Sequence, residues 1–131
     1  EPKIPFKKAS RPNDFRFDSK YFEKWQQIEL GKSLGDYQKS GFGAIKVHPD
    51  FPCPTIIANQ RKRSMSGLLH PSECRSLSDI EFCLCGTYPK DYSFLNEKNE
   101  NFVGYIIGMS VPPVMTANIA TEIFNQWISK F

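Results

Sequence analysis

No two cysteines in this 131-residue chain have the C-x-x-C spacing, and His48 and His70 add no ligand spacing to them. The usual zinc frameworks are therefore excluded, and the cysteines at 53, 74, 83 and 85 predict no metal site. No stretch reads as a secretory leader or a membrane span. The expectation is free thiols in a reducing cytoplasm, with no membrane partner. No internal repeat is visible. The chain opens at Glu1 and not at a methionine, which reads as a processed product or a fragment.

Basic residues are scarce in the second half. Residues 1–66 carry 13 Lys and Arg against 7 Asp and Glu, while the rest carry 4 against 7. The overall charge of +3 thus divides into a basic half and a mildly acidic half. Either a nucleic-acid-binding face or scattered solvated lysines produces this balance. Hydrophobic residues make up 40% and aromatics 14%, enough for one small folded domain with a modest core.

Residues 1–17 hold three prolines and no apolar period, and read as an extended arm. From Asp18 to Leu30, Phe22, Trp25 and Ile28 recur every third residue and predict a short helix. Asp18 or Ser19 would cap it and Gly31 would stop it. Residues 31–43 read as loop. Ala44–His48 alternates, with Ile45 and Val47 on one face, and predicts a strand; Thr55–Ala58 suits a second. Asn59–Gly67 reads as a loop tip.

Ser78 and Glu81 have capping-box spacing, in which hydroxyl and carboxylate each satisfy an orphan backbone N–H. A two-turn helix should follow and stop near Gly86. Cys83 and Cys85 would then point to different helix faces. Residues 95–101 read as a polar loop. Ala120, Ile123, Phe124, Trp127, Ile128 and Phe131 form one apolar helix stripe, read as core. Ser110 is its expected N-cap, with Pro112 and Pro113 in the first turn.

Gly108-Met-Ser-Val-Pro-Pro113, followed by that helix, resembles the closing motif of the DNA cytosine-5 methyltransferases, usually Gly-Asn-Ser-Val-Pro-Pro. Arg75, Glu81 and the Tyr88-Pro89-Lys-Asp-Tyr92 run look like the preceding block of that family. Pro54-Thr55-Ile56 resembles the Thr step of its target recognition region. The three blocks stand in family order over residues 54–131, and residues 1–53 add little beyond Trp25 and Gly31-Lys32.

The resemblance implies an α+β chain: a small β-rich DNA-recognition domain (1–70), a connecting block (71–104), and a closing motif with an amphipathic C-terminal helix (105–131). That helix would pack on a catalytic lobe. The intact enzyme would transfer a methyl group from S-adenosylmethionine to C5 of a cytosine flipped from double-stranded DNA, after a cysteine adds to C6. The setting would be a bacterial or phage-encoded restriction-modification system.

By the same resemblance Thr55, Arg61, Lys62 and Arg63 would contact DNA, and Met109, Ser110 and Val111 would edge the cofactor pocket. Arg75, Glu81 and Pro89 would be architectural. Without the resemblance, Thr55 is a strand residue, Arg61–Arg63 a solvated loop tip and Arg75 a surface charge.

Two departures stand out. Met109 replaces the motif's asparagine, and the glycine-rich cofactor loop, the Pro-Cys-Gln nucleophile motif and the Glu-Asn-Val motif do not occur in these residues. Cys53, in Phe-Pro-Cys-Pro-Thr, reads as structural. This chain therefore holds no expected catalytic residue, is expected to be inactive alone, and needs the catalytic half as partner, in the same or a separate polypeptide. The alternatives are a non-catalytic DNA-binding module or the small subunit of a split enzyme.

Overall fold

The computed structural model describes residues 19–37, 43–58, 65, 67–92, 94 and 102–131. The arm and Asp18 lie outside them, as do Arg61, Lys62 and Arg63. The architecture is mixed α and β, with four α-helices among the described residues: α1 (Ser19–Gln27), α2 (Asp79–Cys85), α3 (Phe102–Met109) and α4 (Pro113–Gln126). Two strands, β1 (Ile45–Lys46) and β2 (Leu68–Leu69), pair in parallel, Ile45 opposite Leu68 and Lys46 opposite Leu69.

The sheet is short because flanking segments extend it by single bridges. Ser33 bridges Ile45, and Ser76 bridges Leu69, both antiparallel. Residues 31–34, 44–47, 67–70 and 75–77 thus lie side by side, tied by Gly31 N–H to Lys46 O (2.7 Å) and His70 N–H to Arg75 O (2.9 Å), among others. Strand residues alternate faces, and the core follows that alternation. Val47, Leu68, Leu77, Phe82, Val103 and Ile107 pack on one side. Ile28, Ala44 and Leu69 pack on the other, with Trp25 beside them. Lys46 shares the second face, and its ammonium sits 3.8 Å from the centre of the Trp25 ring. That contact lets its aliphatic stem be buried.

The α1 stripe resolves into exposed Phe22, half-buried Trp25 and buried Ile28, which falls just past the helix end. Gly31 turns the chain at φ +77. For α2 the capping box forms as its spacing predicts, with Gly86 as C-cap.

Four expectations differ. Thr55–Ala58 joins no strand among the described residues, and Ala58 lies in a turn; Ile56 packs against the core while Thr55 and Ile57 stay exposed. Phe102–Met109 is a helix that no apolar period announced. Ser110 does not cap α4, whose N-cap position is Pro112. The α4 stripe is not core, because the helix buries none of its residues.

By length and composition alone, Phe102–Lys130 is apolar enough to cross a membrane, a run the sequence pattern does not single out. It is divided between α3 and α4 at Ser110–Pro112. Their 8 and 14 residues rise about 12 and 21 Å, short of a roughly 30 Å hydrocarbon core. Val103 and Ile107 are also spent on the core.

Candidate functional site

Arg75 is 1% exposed and Glu81 4%, so two charges lie inside the molecule. Burial on that scale is tolerated only when each charge is paired and hydrogen-bonded. The guanidinium donates to both Glu81 oxygens, at 2.7 and 2.9 Å, to Glu73 Oε2 at 2.6 Å and to the Ser76 carbonyl at 2.9 Å. Glu81 also accepts from Ser78 N–H at 2.7 Å, as the capping box requires. One carboxylate therefore closes the start of α2 and neutralises the arginine beside β2.

Burial disfavours the charge on Arg75, yet its hydrogen bonds to Glu81 and Glu73 and their negative charges outweigh it and raise the pKa. Burial likewise pushes the Glu81 carboxyl upward, and the Arg75 contacts reverse this and hold it low. His70 completes the cluster. Its Nδ1 accepts from Ser72 N–H (3.2 Å) and Glu73 N–H (3.0 Å), which places the neutral ring's proton on Nε2, 3.5 Å from Glu81. Burial, then the nearby Arg75 charge, lowers its pKa.

A second cluster surrounds the α3–α4 junction. Gly108 lies on the backbone of Ile57 and Ala58, where an added Cβ would stand 2.5 Å from Ala58 N. Met109 and Val111 are exposed at 66% and 61%. Ser110 is occupied: its hydroxyl accepts from Tyr88 (2.7 Å) and donates to the Ile107 carbonyl (2.8 Å). Thr55, three residues before Ala58, is exposed on the segment that Gly108 touches. The fold thus brings the Thr55 segment against the residue preceding Met109, although about fifty positions separate them in sequence.

Pro89 follows Tyr88, whose ring packs on Tyr92 and Phe94 with centroids 5.0 and 5.7 Å away. Cys53 packs against the main core cluster beside Cys85. A hydrogen bond from Cys85 lowers the Cys53 pKa, while the same contact and burial push Cys85 up. All four cysteines are free, and among the described residues no group of His, Cys, Asp and Glu has a metal-holding arrangement.

Sequence reasoning missed one contributor at this junction, Thr87, and one contact, that of Gly108 with Ile57 and Ala58. Thr87 has φ +59 and accepts from Val114 N–H at 3.2 Å. The signal was indirect: Gly86 marks the end of α2, but the left-handed conformation falls on the residue after it. Gly108 was legible as the first residue of the closing motif, but its contact gave no local signal, because its neighbours are about fifty residues away.

These contacts describe a small α+β scaffold that fixes the 55–58 segment and the root of one uncovered helix. Residues 5–125 match the family model of the C-5 cytosine-specific DNA methylases, and the chain belongs to that family. It is 31% identical over 107 residues to M.MJ0563P of Methanocaldococcus jannaschii, a protein named as a type II methyltransferase. The match covers 79% of this chain and 32% of the relative. The type II methyltransferase M1.HgaI of Avibacterium volantium is 29% identical over 90 residues, covering 62% and 25%. The type II methyltransferase M.AquIB of Picosynechococcus sp. is 24% identical over 115 residues, covering 79% of each. This chain therefore spans about a third and a quarter of the first two relatives. No solved structure matches it.

Proposed function

We propose that this chain is the C-terminal, DNA-recognising and lobe-closing part of a DNA cytosine-5 methyltransferase. The observation that carries the reading is the uncovered apolar face of α4. Ile119, Ile123 and Phe124, with Trp127 just past the helix end, are all exposed on a chain that spans a third of M.MJ0563P. Such a face is stable in water only when something covers it. The remainder of the enzyme, with its glycine-rich loop and nucleophile, is that cover.

On this reading double-stranded DNA meets the segment from Thr55 through Arg61, Lys62 and Arg63. S-adenosylmethionine, which supplies an electrophilic methyl group when bound, is edged by Met109 and Val111. Their exposed side chains suit the apolar surface of a nucleoside. Ser110, spent on Tyr88 and Ile107, supports the turn instead of reaching out. Arg75, Glu81 and Pro89 keep the connecting block rigid between the two. The chain alone contributes no nucleophile.

The test is reconstitution. Mixing the purified chain with a catalytic half carrying the glycine-rich loop and Pro-Cys-Gln motif should give methyl incorporation into DNA, with neither part active alone. Methylation by this chain alone would overturn the reading. A second form has its own support: M.AquIB is matched over 79% of its length, so a type II methyltransferase polypeptide of nearly this size exists. That supports a separately encoded small subunit as the second form, and co-purification from the native host distinguishes it from a covalent fragment.

A further inference from the structure

Thr87 holds a β-branched side chain at φ +59, where its Cβ crowds the neighbouring carbonyl. After a helix that conformation usually belongs to glycine. Gly86 stands next to it but adopts φ −77. It is committed elsewhere, since a Cβ there would come within 2.8 Å of Ile107 Cγ2 on α3. The close approach of α2 to α3 uses the glycine, and the strain passes to Thr87. A strained residue persists only where its surroundings demand it.

The demand comes from α4. Its N-cap is Pro112, which offers no side-chain acceptor to the first turn. Thr87, 27 residues earlier in sequence, provides one: its Oγ1 accepts from Val114 N–H at 3.2 Å. The adjacent Tyr88 hydroxyl donates to Ser110 at 2.7 Å, so consecutive residues grip both sides of the α3–α4 turn. Because α4 buries no residue along its length, its direction is set at this root.

We infer that Thr87 is a positioning residue: its hydroxyl is the N-cap that α4 lacks, and its left-handed backbone places that hydroxyl under the first turn to aim the helix. The consequence for assembly rests on the proposed docking of α4 to a catalytic half, whereas the clamp itself does not. Thr87→Val keeps the branching, and so the strain, and removes only the hydroxyl. Thr87→Ser keeps the hydroxyl.

In the full chain, NMR should show the Val114 amide exchanging about three- to thirtyfold faster in Thr87→Val, as expected for a lost cap. Residual dipolar couplings should report a broadened α4 orientation with core resonances unmoved. Thr87→Ser should stay within about twofold of wild type on the same cap arithmetic. Unchanged exchange and orientation in Thr87→Val, or equal disruption by Thr87→Ser, overturns the clamp. Binding to the catalytic half should weaken in Thr87→Val and not in Thr87→Ser. If α4 is loosened but assembly is unaffected, the aiming role is wrong. If the wild-type chain binds no catalytic half, the docking reading fails while the NMR result still decides the clamp.

Discussion

Arg75 and Glu81 each depend on the other. Removing one partner strands the other charge in a site with almost no water, a loss of about 3–5 kcal/mol for buried pairs. Arg75→Ala and Glu81→Ala should each cost stability in that range, and Glu81→Ala also opens the α2 cap. The double variant should cost much less than the sum, which a urea-denaturation cycle measures. His70 adds a pH dependence. Its pKa is lowered in the fold, so below about 6.5 the unfolded chain binds a proton that the folded chain refuses, and stability falls as pH falls. Glu81, also lowered, adds a loss of the same sign below 4.5 as acid protonates it. His70→Asn keeps an acceptor for the Ser72 and Glu73 amides but cannot titrate. It should flatten the urea midpoint between pH 6.5 and 5 and leave the more acidic loss in place.

Among the elements, those whose signals are local were legible. The capping box of α2 needs only Ser78 and Glu81, three residues apart, and β1 shows its alternation within five residues. What failed depends on distant partners. Thr55–Ala58 has the β-branched composition of a strand, but Gly67, Lys32 and Leu69, not this segment, accept from the amides of Ile45, Lys46 and Val47. Leu68–Leu69 is too short to show a period. The helix α3 hides because two glycines, Val103 and two isoleucines read as a poor helix former. Its fold is imposed by packing against α2, and Gly104 is buried. Of the candidate site, the closing motif was legible as a pattern, whereas its contact with Ile57 and Ala58 was not. That contact makes a prediction. Gly108→Ala forces a methyl into backbone atoms 2.5 Å away, which rearrange less readily than a side chain. The expected cost is about 1–3 kcal/mol, as for overpacked cores. Met109→Ala, exposed one residue later, should cost little. Equal urea midpoints for Gly108→Ala and wild type would show that the 57–58 segment yields freely.

At the scale of the whole molecule, the core sits around the short sheet and α4 stands apart from it. Val114, Met115, Ile119, Ile123, Phe124, Trp127, Ile128 and Phe131 are all exposed. A shallow groove between Ile119, Ile123 and Trp127 is lined mainly by carbon. Covering one such large side chain is worth roughly 1.5–3 kcal/mol, so several together are enough to drive association. Phe124 and Trp127 belong to neither core cluster, which separates binding from folding. Phe124→Asp with Trp127→Asp should therefore leave the unfolding free energy from urea denaturation within about 0.5 kcal/mol of wild type, as for surface substitutions. The same pair should abolish both concentration-dependent self-association of the isolated chain and methyl incorporation after mixing with a catalytic half. Sedimentation velocity and the methylation assay read the two effects independently. Loss of self-association with methylation intact would mean that α4 sticks to itself but is not the docking face. Loss of folding would place α4 in the core after all. Only soluble, monomeric, folded and assembly-deficient protein agrees with a helix whose apolar face is kept for a partner.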